Sequence, residues 1–161
     1  MAASRSIPGE NASDREIVIT RIFDAPRELV FKVWTDPKHL KLWWGPHRFT
    51  NPVCEVDARP GGAIHIDMRG PDGTVHTMTG SYEEVVEPER IVFVNSVPDK
   101  NGKPLFEQRT TVTLTEVAGK TKLTLDVNVF RSTPEAAPML AGMEIGWTQT
   151  LERLEEYVAK V

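Results

Sequence analysis

The chain has 161 residues, of which 40% are apolar and 26% charged, and its formal net charge is −4. That length predicts one domain able to bury roughly 70% of its unfolded surface without staples. A single cysteine, Cys54, excludes an internal disulfide, scattered basic residues argue against nucleic acid, and no apolar run nears the roughly 20 residues of a membrane span.

Residues 1–14 (MAASRSIPGENASD) are small and polar. They are predicted to be a disordered tail and lack the apolar stretch of a signal peptide. The sequon Asn11-Ala12-Ser13 then reads as chance, and a reducing, cytoplasmic setting is expected. Ile17 to Phe23 reads as a first strand, apolar on both faces. Asp24-Ala25-Pro26 breaks it, because proline suits the first turn of a helix, where its missing N–H is not needed. Leu29, Val30, Val33 and Trp34 give that helix an apolar stripe. Asp36-Pro37 caps and opens a second short helix through Trp43 or Trp44, and Gly45-Pro46 ends it.

From Thr50 to Phe130 the chain reads as six strands. The breakers between them are Arg59-Pro60-Gly61-Gly62, Gly70-Pro71-Asp72-Gly73, Glu87-Pro88-Glu89-Arg90, Pro98 through Pro104, and Ala118-Gly119. Short strands joined by hairpins imply an antiparallel meander. Pro71-Asp72-Gly73 fits a type I turn closed by a left-handed glycine. That register sets Met68 opposite His76, Ile66 opposite Met78 and Ile64 opposite Gly80. One face then carries Ile64, Ile66, Met68, His76, Met78 and Tyr82; the other carries His65, Asp67, Arg69, Thr77, Thr79 and Ser81. A slip by one residue would mix these sets. A second hairpin repeats the pattern, with Val112, Leu114, Leu123, Leu125 and Val127 on one face. The sheet therefore has a wet face and a face that needs a cover.

After Ser132-Thr133-Pro134 the pattern is helical to the end, with Thr133 as the expected cap. Met139, Met143, Trp147, Thr150, Leu151, Leu154 and Val158 recur at helical spacing. About 25 residues make that helix on the order of 37 Å long. Seven strands at about 4.8 Å make a sheet roughly 30 Å wide, whereas a helix is about 10 to 12 Å across. One rod cannot cover a flat sheet of that width, so the sheet must curl. A curled sheet over one rod leaves a space lined by aliphatic, Met and aromatic side chains, the make-up of a small-ligand pocket.

Arg21-Ile22-Phe23-Asp24-Ala25-Pro26, Val30-Phe31, Trp34-Thr35-Asp36-Pro37 and Trp43-Trp44-Gly45-Pro46 form a specific string. Arg59-Pro60-Gly61-Gly62, Met68 to Gly73, Gly80-Ser81-Tyr82-Glu83-Glu84, Pro88 to Phe93, and the closing Gly146-Trp147, Leu151, Leu154 and Tyr157 continue it. Over Arg15 to Val161 the chain resembles the SRPBCC or START-like helix-grip superfamily, in the family related to the activator of the heat-shock-protein-90 ATPase. The resemblance implies an α+β helix-grip fold: a curved seven-stranded antiparallel sheet wrapped around a long C-terminal helix, two short helices after the first strand, and an internal cavity. It also implies one START-like domain over 15–161. Fold alone does not fix function.

Three functional readings are open on sequence. The leading one is a non-enzymatic binder of a small hydrophobic or aromatic molecule, with walls from Ile64, Ile66, Met68, His76, Met78, Tyr82, Phe93, Met139, Met143 and Trp147. Met adapts its shape and Trp offers a flat face, which suits a variable apolar guest, although such a stripe also serves as plain core. The second is an enzyme on the same scaffold using His76, Tyr82 or, if the Pro88-Glu89 turn has two residues, Glu84, since His and a desolvated Glu titrate near neutral pH. The third is a protein adaptor with a chaperone partner, which needs an exposed apolar patch. Cys54 has no base near it by motif and reads as a buried spectator. The four histidines follow no metal spacing, and no cofactor, membrane or nucleic-acid partner is expected. Gly146 is expected to permit close approach of the sheet or a slight helix bend.

Overall fold

The computed structural model describes residues 15–161; the predicted tail, 1–14, and its sequon lie outside the described residues. The first strand, β1 (Glu16–Phe23), buries Ile17, Ile19 and Phe23 and leaves Val18 and Ile22 exposed. Both faces carry apolar side chains, but only one is buried. Side chains alternate across a strand, and in this edge strand only the inner face is covered. Helix α1 (Arg27–Thr35) follows, with Pro26 one residue earlier than the first-turn position expected for it. Asp36 then ends α1 and caps α2 (Pro37–Trp43), its side chain accepting from the Lys38 backbone N–H at 2.9 Å. Both α1 and α2 turn their apolar stripes inward: Val30, Val33, Trp34, Leu40 and Trp43 are all buried.

The six remaining strands are β2 (Thr50–Val56), β3 (Ala63–Arg69), β4 (Val75–Val86), β5 (Arg90–Pro98), β6 (Pro104–Val117) and β7 (Lys120–Ser132). They form one antiparallel sheet in the order β1-β7-β6-β5-β4-β3-β2, closed at one edge by the first strand. The β3–β4 hairpin has the predicted register, Met68 opposite His76, Ile66 opposite Met78 and Ile64 opposite Gly80. Gly73 holds φ +88° at the turn, a conformation that only glycine adopts without strain. In the β6–β7 hairpin, Val112 faces Leu125 and Leu114 faces Leu123, all four fully buried. The wet face is polar, with ion pairs Glu83–Arg109 at 2.9 Å and Glu107–Arg131 at 3.1 Å.

The C-terminal segment departs from expectation. It is not one rod of about 25 residues but a 3-10 turn (Pro134–Ala136), a short α3 (Ala137–Ala141) and then α4 (Met143–Val158), broken at Gly142. Helix α4, with 16 residues, is about 24 Å long. Thr133 does not cap it; its hydroxyl donates to the Leu105 carbonyl at 2.9 Å and ties the segment to the start of β6. Gly146 forces no close approach, because a methyl group there would meet only Pro46 Cγ at 3.7 Å. The break at Gly142 splits the cover in two. Leu151, Leu154 and Val158 of α4 join the main core, whereas Leu140 of α3 packs with Val97, Phe106 and Val129 in a second cluster.

Candidate ligand-binding cavity

Between these two clusters the sheet and its cover separate, leaving a cavity of about 170 Å³. Its floor is the inner face of the sheet, with Met68, Met78, Asn95, Val97, Phe106 and Gln108. Its roof is the helical segment, with Met139, Met143, Gly146, Trp147 and Thr150. Trp44, Gly45 and Pro46 of the α2–β2 loop close one side. The Trp44 and Trp147 rings meet edge to face with centroids 5.4 Å apart, a preferred aromatic geometry. No charged side chain lines the space among the described residues.

The loop at the cavity's side is held from a distance. Arg153, on α4, donates Nη1 to the carbonyls of Trp44, Gly45 and Pro46 at 3.0, 3.1 and 3.0 Å, and Nη2 to Leu42 at 3.3 Å. Gln149 Oε1 accepts from the His47 N–H at 3.2 Å, and His47 Nε2 lies 3.0 Å from Glu152 Oε1. The guanidinium meets the Leu42 carbonyl in the last turn of α2, the Trp44 carbonyl at its cap and two loop carbonyls beyond it. One face of α4 thus covers the core while its flank fixes the loop.

Three polar side chains interrupt the apolar lining. Asn95 and Gln108 are cross-strand partners on β5 and β6, 2% and 7% exposed. Gln108 Nε2 donates to Asn95 Oδ1 at 3.3 Å, while Gln108 Oε1 has no partner among the described residues. A buried acceptor left so costs about 1–3 kcal/mol. The Thr150 hydroxyl is used within its own helix, donating to the Gly146 carbonyl at 2.8 Å. Trp44 Nε1 is also buried without a partner.

The residues predicted as walls divide into three groups. Met68, Met78, Met139, Met143 and Trp147 line this cavity. Ile64, Ile66, Tyr82 and Phe93, again with Met78, line a separate space of about 10 Å³ beneath Trp34 and Trp44, the volume of a single water and too small for a guest. His76 lines neither; it is half-buried, its ring 6.3 Å from Phe49. The side chains missed are Trp44, Pro46, Asn95, Val97, Phe106, Gln108 and Thr150, with Gly45 and Gly146 beside them. Aligning the β5–β6 hairpin would have shown Val97 opposite Phe106 and Asn95 opposite Gln108.

The trio considered for acid–base chemistry does not assemble. His76 and Tyr82 stand six positions apart on one strand, roughly 20 Å. The ladder shifts between Tyr82 and Glu84, an extra residue that turns Glu84 outward, where it bonds Arg90 Nε at 3.0 Å. Glu84 is therefore on the wet face, not the apolar one. Burial raises the Tyr82 hydroxyl above the ordinary phenol range, with the Cys54 and Asp57 charges adding to it, so it stays protonated. Cys54 is half-buried rather than buried, and desolvation pushes its thiol up to about 11 against the pull of Lys41; such a thiol is a poor nucleophile. Among the described residues no three His, Cys, Asp or Glu side chains are placed to hold a metal ion, and no helix is long and apolar enough to cross a membrane.

Known proteins match both sequence and fold. The family model described as activator of Hsp90 ATPase homolog 1-like protein covers residues 24–159. A crystal structure of a Mycobacterium smegmatis protein is similar at 27% identity and TM-score 0.74, with 88% of each chain covered. One from Chromobacterium violaceum is similar at 30% identity and TM-score 0.72, over 88% of this chain and 94% of that one. A solution structure of an Arthrobacter aurescens protein gives 27% identity and TM-score 0.78, over 91% and 87%. No curated protein matches. The predicted α+β helix-grip fold is the observed one, and the chain belongs to the family of activator of Hsp90 ATPase homolog 1-like proteins.

Proposed function

We propose that this protein binds a small hydrophobic or aromatic molecule, without turning it over, in the cavity between the sheet and the C-terminal helices. One observation carries the reading: an uncharged, Met- and Trp-lined pocket of about 170 Å³, partly open to solvent, between the sheet and the helices. Protein interiors are packed as densely as organic crystals, and voids of this size are few. An apolar cavity of about 150 Å³ is enough to bind benzene. Met68, Met78, Met139, Met143 and Trp147 are the proposed contacts from the expected set. Ile64, Ile66, Tyr82 and Phe93 support them from behind, and His76 stands outside.

The reading predicts a thermal shift. Saturation at 100 times the dissociation constant adds about 2.7 kcal/mol of stability, which raises Tm by roughly 5 to 11 °C in a chain of this size. Toluene, indole, naphthalene and longer aliphatic compounds are the first panel, monitored by circular dichroism. A Tm that stays fixed across all of them, up to their solubility limits, contradicts the reading. The family's description favours a second reading, contact with the chaperone Hsp90. The large exposed apolar side chains it would use include Val18 and Ile22 on β1, Leu42 on α2 and Ile145 on α4. A pulldown that recovers the chaperone, with its ATPase stimulated, would put this reading first.

A further inference from the structure

Gln108 and Asn95 sit on a mostly apolar sheet face, beside the buried Thr110, and they line the cavity. Their one hydrogen bond is to each other, and it leaves Gln108 Oε1 without a donor. Among the described residues nothing accepts from Asn95 Nδ2. Rotating both amides by 180° reverses the bond but not the outcome. In either arrangement one amide nitrogen and one amide oxygen remain wholly unmatched, because each carboxamide carries both. The backbone of β5 and β6 pairs through this point without help from either side chain. A Leu or Met pair of similar shape would fill the position without leaving polar atoms unmatched. The two amides are thus surplus to the fold.

Resting on the binding reading above, we infer that the Asn95–Gln108 pair is the polar end of the binding site and selects a neutral, one-ring-sized guest whose head group both donates and accepts a hydrogen bond. A hydroxyl or a carboxamide meets that description; a hydrocarbon does not. Neutrality follows from the wall, which holds no counter-charge for a carboxylate or an ammonium, so an ionised guest would be desolvated unpaired. The volume, about 170 Å³, sets the size. Thr150, its hydroxyl already committed to Gly146, adds no competing donor.

Phenol and toluene have nearly one shape and differ in the head group, so their dissociation constants, measured by titration calorimetry on the intact chain, isolate the effect. Water holds phenol better, so a purely greasy cavity would prefer toluene by roughly tenfold. The inference predicts that phenol binds at least as tightly as toluene. It also predicts that Gln108→Leu weakens phenol at least tenfold and leaves toluene unchanged or tighter. Benzoate at pH 7 should not bind. If the wild-type chain prefers toluene tenfold or more, the amide pair does not select the guest, although the cavity still binds. If Gln108→Leu weakens both guests equally, the pair is structural and the inference fails in the same way. If neither compound binds, the binding reading itself falls. The wild-type order needs no variant to fold.

Discussion

Gly80→Ala is expected to destabilise the fold by about 3 kcal/mol, the upper range for an overpacked core, and to disrupt the cavity. A Cβ at Gly80 would lie 2.0 Å from the Val94 carbonyl oxygen, 2.7 Å from Asn95 Cα and 2.9 Å from Asn95 Cβ. These are backbone atoms or atoms fixed to backbone, so no rotamer change relieves the clash. Gly80 stands between Ile64 and Asn95 in the ladder, where β4 and β5 approach closely. The glycine that permits this approach therefore also sets the position of Asn95 in the cavity wall. Urea unfolding should show a lower midpoint with the slope unchanged. Gly146→Ala is the control. Its Cβ meets only Pro46 Cγ at 3.7 Å, and helix propensity should leave the midpoint level or higher by up to about 1 kcal/mol. Equal midpoints for wild type and Gly80→Ala would contradict this close approach.

Arg153→Met is expected to cost about 2–3 kcal/mol, the range for losing hydrogen bonds to a charged group. The side chain reaches carbonyls of Leu42, Trp44, Gly45 and Pro46, more than one hundred positions away in the chain. Burial lowers the guanidinium pKa, with Glu156 acting against it. Arginine stays charged at neutral pH even so, and methionine retains the apolar stem but not the fork. Arg153→Lys should recover less than half of the loss, since one ammonium does not span four carbonyls. Because Trp44, Gly45 and Pro46 wall the cavity, Arg153→Met should also weaken guest binding and quicken proteolysis near His47. Loss of stability with binding and proteolysis unchanged would contradict a loop-holding role.

Local chemistry made much of this fold legible. A proline-aspartate-glycine turn fixes the parity of β3 and β4, and from parity follows every inward side chain on both strands. Asp36 caps because its short carboxylate can reach the N–H two residues on. What sequence reading lost was parity beyond a bulge and direction beyond a loop. The extra residue between Tyr82 and Glu84 reverses the face of everything after it on β4, and no residue type announces such a shift. Gly142 ends α3, whereas Gly146, equally conspicuous in the sequence, lies inside α4. Trp44 became a cavity wall because Arg153 holds its loop, a long-range contact invisible to spacing. Asn95 and Gln108 lie at alternate positions among apolar neighbours and read as ordinary strand residues until the β5–β6 register brings them together.

Under the proposed function, the space beneath α3 and α4 admits a guest. The chain has five methionines, and Met68, Met78, Met139 and Met143 all line that space. Carbon-13 labelling of the methionine methyl groups therefore places four NMR reporters inside it. Titrating phenol or toluene should move the four cavity resonances together, saturating with a single dissociation constant. Four stationary cavity resonances at the solubility limit of both compounds would contradict the account.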